Sequence, residues 1–180
     1  LLCGGVVPAP KKGPSLMRVA LILLPYVVGL LGASEKPSVI VVTGAPGTEV
    51  YGQNFAKWAG QWKAASKKAE ATFRQVGKAK KADPKDDLRK ILANESRKSP
   101  QPLWIVLMGH GTYAGKQAKF NLHGPDLEAG ELAEWLKDFE RPLVIVNCSS
   151  SSSPFLNVLR AKGRVVITAT RSGVEKNYCR

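Results

Sequence analysis

Apolar residues in this chain fall into short unbroken runs, and the stretches between them carry apolar positions at helical spacing. Residues 38–43 (SVIVVT), 103–108 (LWIVLM), 142–146 (PLVIV) and 164–169 (RVVITA) are dominated by β-branched and aliphatic residues. Runs of this length without polar alternation suit strands covered on both faces. Between the first two runs, Phe55, Trp58, Ala59, Trp62, Ala65 and Ala69 recur at three- and four-residue spacing. That spacing predicts one long helix over 51–81 with an apolar stripe, broken at Asp83-Pro84. A second helix is expected over 85–96, with Leu88, Ile91 and Leu92 inward. A third is expected over 127–139, with Leu132, Trp135, Leu136 and Phe139 inward, and a fourth over 154–160, where Pro154 suits a first turn. Residues 119–122 read as a small edge strand.

Strands that alternate with helices argue an α/β domain: a mostly parallel sheet with helices on both sides, a three-layer α/β/α sandwich. In such sheets ligands collect at the carboxyl ends of the strands. Three of the four strands end in polar residues. The first of these endings is Gly109-His110-Gly111-Thr112, the next is Asn147-Cys148 before the run Ser149–Ser153, and the last is Thr170-Arg171-Ser172-Gly173.

The amino-terminal segment has a different character. Met17 and Arg18 precede an apolar run, 19–33, that closes on Gly32-Ala33-Ser34. A basic start, an apolar stretch and a small-residue exit read as a secretory signal over 17–34. The run is shorter than the ~20 residues that span a bilayer, so an anchor is the lesser alternative to export, whether periplasmic or secreted. Residues 1–16 are read as an upstream non-native segment, and 35–180 as the domain.

Net charge is +13 over 180 residues. Much of it belongs to Lys57, Lys63, Lys67, Lys68, Arg74, Lys78, Lys80 and Lys81, all within the predicted long helix. Its ordinary meaning is a solvated lysine-rich face. Its functional meaning is contact with an anionic surface, a reading that steeply salt-dependent heparin binding would test. No aromatic–basic interleaving of the single-strand-binding kind occurs, so no specific nucleic-acid partner is expected. The three cysteines, Cys3, Cys148 and Cys179, are too few for a disulfide framework; a single Cys148–Cys179 bridge would silence a thiol nucleophile. No cofactor is expected, and His110, His123 and Cys148 lack the paired spacing of zinc sites.

The chemistry therefore concentrates on two residues. His110 sits between glycines at one strand end, and Cys148 closes the next apolar strand. Neighbouring parallel strands lie about 4.8 Å apart, so side chains from their ends can converge. A cysteine with a histidine base is the minimal thiol-nucleophile pair. The amides of Gly111 and Cys148 are candidate oxyanion donors. His123, beside Gly124-Pro125, reads as a turn residue. A serine nucleophile at Ser149 or Ser150 lacks a G-x-S-x-G elbow.

An apolar strand ending in Gly109-His110-Gly111 and a following one ending in Asn147-Cys148-Ser149 resemble the caspase-like cysteine peptidases, the group of caspases, legumains and gingipains. The resemblance spans about 39–180. Ile167-Thr168-Ala169-Thr170, with Glu175 and Tyr178, looks most like the legumain branch. GHGTYAGKQAKFNLHGPDL and NCSSSSSPFLNVL resemble an uncharacterised bacterial group of exported legumain-like proteins. The resemblance implies a peptidase, endopeptidase or transpeptidase, acting on a peptide or protein. It implies His110 and Cys148 as the catalytic dyad and Gly111 as an oxyanion donor. Thr168, Thr170, Arg171 and Glu175 would bind substrate. The legumain branch orients its histidine with an asparagine just past the first strand; Gly44-Ala45-Pro46-Gly47 offers none. Family domains carry about six core strands against the four read here, so the domain is expected to be truncated at its carboxyl end. The alternatives are an inactive caspase-like binding domain and a basic envelope-associated protein.

Overall fold

The structure is a computed structural model that describes residues 35–78 and 83–177. The expected export signal, the upstream segment, Lys80, Lys81, Tyr178 and Cys179 lie outside the described residues. The described part belongs to one compact unit, Gly32–Arg180.

Strand β1 (Ser38–Thr43) is buried along its whole length, as its unbroken apolar run requires. Helix α1 (Glu49–Lys68) follows. Its cap is Thr48, whose Oγ1 accepts from the Tyr51 amide at 3.5 Å, and Lys67 and Lys68 complement the dipole in the last turn. The long helix expected over 51–81 does not exist. Glu70 turns left-handed (φ 52°), the Ala71 amide donates to Ser66 O at 2.9 Å, and the chain becomes strand β2 (Thr72–Val76). Apolar spacing ran on past the true stop because the terminator is a glutamate, not the usual glycine. The basic residues are thereby divided. Lys57, Lys63, Lys67 and Lys68 stay on α1, while Arg74 moves to β2 and pairs with Glu95 at 3.5 Å.

Helix α2 (Pro84–Ala93) starts where Asp83 Oδ1 accepts from the amides of Lys85 and Asp86, at 3.0 and 3.1 Å. Strand β3 (Leu103–Met108) matches its expected run. Next come β4 (Gly111–Ala114), β5 (Gln117–Phe120) and β6 (Leu127–Glu128), a separate antiparallel sheet. The expected edge strand at 119–122 is thus displaced to β5, the middle strand of three. Gly115 and Lys116 both take positive φ (57° and 67°), the mark of a two-residue type I′ hairpin. Helix α3 (Ala129–Leu136), strand β7 (Leu143–Asn147), helix α4 (Ser153–Leu159) and strand β8 (Arg164–Thr168) complete the domain.

The main sheet has the order β2-β1-β3-β7-β8, and every pairing in it is parallel. It therefore has five strands rather than the four read from sequence. Alternate residues face opposite sides. Ile40, Val42, Ile105, Leu107 and Ile145 pack with Leu88 and Leu92 of α2, Leu132 and Leu136 of α3, and Phe155 and Leu159 of α4. Val39, Val41, Val106, Met108 and Val146 pack with Trp58, Ala59 and Trp62 of α1. The result is α/β/α layering. β8 departs from its expected two-sided burial: Val165 and Ile167 are half exposed, because this strand forms the sheet edge. The strand order reverses at β1: β1 feeds α1 on one face of the sheet, whereas its neighbour β3 leads on to α3 on the other. The crevice between the carboxyl ends of β1 and β3 is thus a topological switch point.

Candidate functional site

His110 stands at that switch point. Gly109 allows it: a Cβ there would sit 2.9 Å from the Phe120 ring and 3.0 Å from Gly44 Cα, so only glycine lets the two strand ends approach. The half-buried His110 ring lies in an aromatic corner of α1, edge-on to Tyr51 (4.7 Å, 89°) and 5.7 Å from Phe55. Its Nε2–H donates to the Pro46 carbonyl at 3.0 Å. A carbonyl can only accept, so Nε2 must carry the proton and Nδ1 is left as the basic nitrogen. The ring is thus fixed in tautomer and orientation by a backbone carbonyl of the Gly44-Ala45-Pro46-Gly47 turn.

Cys148 follows β7. Asn147 registers against Leu107 of β3, and the Cys148 amide donates to the Leu107 carbonyl at 2.9 Å. Cys148 shares the α1 face with Val146, two residues earlier, and so the side that also carries Met108. It lines a small apolar hollow of about 270 Å³ with Trp58, Met108 and Gly109. The ladder bond also corrects one expectation. With its N–H committed to Leu107, Cys148 has no amide to offer an oxyanion.

Gly111 keeps that capacity. The Asn121 amide donates to His110 O at 2.9 Å, which makes 110·121 the hydrogen-bonded pair. Alternation then makes Gly111·Phe120 a non-bonded pair, with the Gly111 N–H directed away from β5. A Cβ on Gly111 would lie 2.3 Å from Ser150 O and 2.6 Å from Ser149 Oγ. The residue after the histidine and the turn after the cysteine are therefore in direct contact.

The serine run is a set of assigned hydrogen-bonding positions. Asn147 is 1% exposed, and its Oδ1 accepts from both the amide (3.0 Å) and the hydroxyl (2.7 Å) of Ser149. Asn147 Nδ2 is buried with no hydrogen-bond partner among the described residues. Ser152 Oγ accepts from the Thr170 amide at 3.1 Å. Ser149 is thus buried and bonded, which removes it as an exposed nucleophile.

His110, Tyr51, Gly111, Tyr113, Ser150 and Asn177 line an open cleft of about 640 Å³. None of the four residues expected to bind substrate lines it. Thr170 is buried and holds the start of α4, its Oγ1 accepting from the Ser153 amide and donating to Ser172 O, both at 3.1 Å. Thr168 Oγ1 donates to Thr170 O at 3.1 Å. The Arg171 amide donates to Glu175 Oε2 at 2.8 Å, and the Arg171 side chain projects into solvent. From the same loop, Gly173, Val174, Lys176 and Asn177 face the cleft instead. Pro46, Tyr51 and Asn177 went unnoticed in sequence. Tyr51 lies one helical turn before Phe55, and that spacing was its only signal. His123 sits in the turn after β5, as expected, and contributes to a hollow beside Gly44 and Pro46.

Among the described residues no three His, Cys, Asp or Glu side chains cluster to hold a metal ion, and no helix is long and apolar enough to cross a membrane. No protein-family model matches the chain, and no curated protein matches it.

Proposed function

We propose that this protein is a caspase-like cysteine peptidase of the legumain type, exported, with Cys148 as nucleophile and His110 as general acid–base. The observation that carries the reading is the Nε2–H bond from His110 to Pro46 O. It holds the imidazole in the one tautomer whose Nδ1 is basic. Cys148 then ends the neighbouring parallel strand on the same sheet face. In the reaction, the Cys148 thiol proton passes to Nδ1 and the thiolate attacks the substrate carbonyl carbon. The oxyanion so formed is met by the Gly111 N–H. Collapse breaks the C–N bond, and the proton on Nδ1 leaves with the amine. The thioester is then hydrolysed by a water that gives one proton to Nδ1, and the thiol is restored by its return.

The test is alkylation of the fully reduced chain by iodoacetamide at neutral pH, with the adduct at Cys148 followed by peptide mass. His110→Ala should slow that site at least tenfold. Equal rates in both proteins would remove the reading.

A second reading, an inactive binding domain of the same fold, is favoured by one observation. Cys148 lines the hollow with Trp58 and Met108, whereas His110 lines the separate cleft beside Tyr113. That reading expects no His110 effect on alkylation and no cleavage across a random peptide library.

A further inference from the structure

The chain after β8 returns to the cysteine. Residues 173–177 cross to the turn that follows β7 and are fastened there by four hydrogen bonds. Asn177 Nδ2 donates to the Cys148 carbonyl at 2.9 Å. The Asn177 amide donates to Ser150 Oγ at 2.8 Å, and that hydroxyl donates to Asn177 O at 3.3 Å. The Ser151 amide donates to Glu175 O at 2.9 Å. Gly173 lies flat against Tyr113 of the β4 strand, where a Cβ would stand 2.8 Å from the ring.

The turn that receives these bonds is not one the local chain prefers. Ser151 sits in the left-handed region at φ 56°, where a non-glycine residue carries strain. Asn147 braces the turn from its own strand through Ser149, and residues 175–177 brace it from outside. The same turn bears on Gly111, the residue next to His110. Its conformation therefore decides how the end of β7 stands against the end of β3.

From this geometry we infer that Asn177 is a positioning residue for the dyad. Its amide grips the backbone of Cys148 itself, and its main chain grips Ser150, so that the thiol is held in register with His110. This rests on the dyad proposed above. The inference differs from a general bracing role because the contact is made to the nucleophile's own carbonyl. Hydroxyls at 149 and 150 both serve the latched turn: Ser149 Oγ donates to Asn147 Oδ1 within it, and Ser150 Oγ accepts from the Asn177 amide across it.

The experiment is a coupling measurement on the full, reduced chain. Alkylation of Cys148 by iodoacetamide is compared across wild type, His110→Ala, Asn177→Asp and the double variant, over a series of pH values. Asn177→Asp keeps the shape but turns a donor to Cys148 O into an acceptor facing it. It should slow alkylation about tenfold, and His110→Ala should then add little, because the pair is already separated. Ser150→Ala, which removes the second fastener while leaving the carboxamide in place, should give a smaller loss of the same kind. Thermal unfolding of each variant reports whether it is folded, and the comparison uses temperatures well below each midpoint. If His110→Ala slows the wild type but Asn177→Asp and Ser150→Ala leave both the rate and the His110 effect unchanged, Asn177 does no positioning and the dyad stands. If His110→Ala has no effect on the wild type, the dyad fails and the positioning role with it.

Discussion

Arg141→Met removes the most heavily hydrogen-bonded side chain among the described residues. Arg141 is 3% exposed, and its guanidinium reaches four acceptors. Nε donates to Gln101 O at 2.9 Å. Nη1 donates to Glu95 Oε2 at 3.2 Å and to Ser96 O at 3.3 Å, and Nη2 donates to Pro102 O at 3.3 Å. Methionine fills similar volume and answers none of them. Pro102 O keeps the Ser38 amide, at 3.1 Å, and so is not orphaned. Glu95 is the costly loss. Its side chain is 7% exposed, and its remaining cation, Arg74, is half in solvent and 3.5 Å away. Breaking a buried ion pair from one side costs about 3–5 kcal/mol; the Arg74 contact argues for about 3. At roughly 3–4 °C per kcal/mol for a domain of this size, the midpoint should fall by about 10 °C. Urea unfolding followed by tryptophan fluorescence measures it directly. Adding Glu95→Gln should recover about 1 kcal/mol or more, since the double variant no longer buries an ill-paired charge. Arg141 works at the amino ends of β3 and β7, where Leu103 N–H meets Pro142 O at 2.9 Å, opposite the rim of His110 and Cys148. Cys148 alkylation well below the midpoint should therefore be unchanged. A loss under about 1 kcal/mol, or strict additivity of the two substitutions, would refute the ion-pair reasoning.

Two further outcomes follow from the same geometry. Gly111→Ala places a methyl 2.3 Å from Ser150 O, so the turn after Cys148 must retreat by roughly 1 Å; overpacking of this kind costs about 1–3 kcal/mol. Both the unfolding midpoint and the Cys148 alkylation rate should drop, and a variant indistinguishable from wild type would show that the two loops are not in contact. Glu131 supplies a pH dependence. Burial pushes its carboxyl up, but the Lys85 ammonium (2.5 Å), the Glu128 amide (3.0 Å) and the Lys119 charge outweigh this and hold it below the usual range. A carboxyl lowered in the folded state stabilises fully above its unfolded pKa, and that contribution is lost as pH falls through the lowered folded value. Glu131→Gln should thus lower the melting temperature at neutral pH and flatten its decline in acid. Parallel acid profiles for the two proteins would contradict it.

Much of the architecture was legible in the chain. Unbroken apolar runs marked β1 and β3 to the residue, because a strand covered on both faces has no polar alternative to confuse it. The His110 and Cys148 positions followed, since both come directly after such runs. β2 was missed. Thr72–Val76 alternates exposed and covered positions at the sheet edge, and it lies in a lysine-rich stretch that continues the helical pattern. Its strand character comes from pairing with β1, which no local window contains. β4 likewise exists because β5 folds back on it through Gly115-Lys116.

At the site the division is sharper. Sequence alone determined that a histidine and a cysteine directly follow two successive apolar runs and that serines crowd the second. Spacing along a chain carries that much. Only the tertiary structure decided the rest: that Pro46, 64 positions from His110, orients the imidazole; that the Cys148 amide belongs to the ladder; and that Thr170 and Glu175 spend their polar atoms holding the fold while Asn177 reaches the cysteine. Hydrogen bonds of these kinds join residues brought together by strand order and loop return, and neither leaves a periodic mark in the sequence.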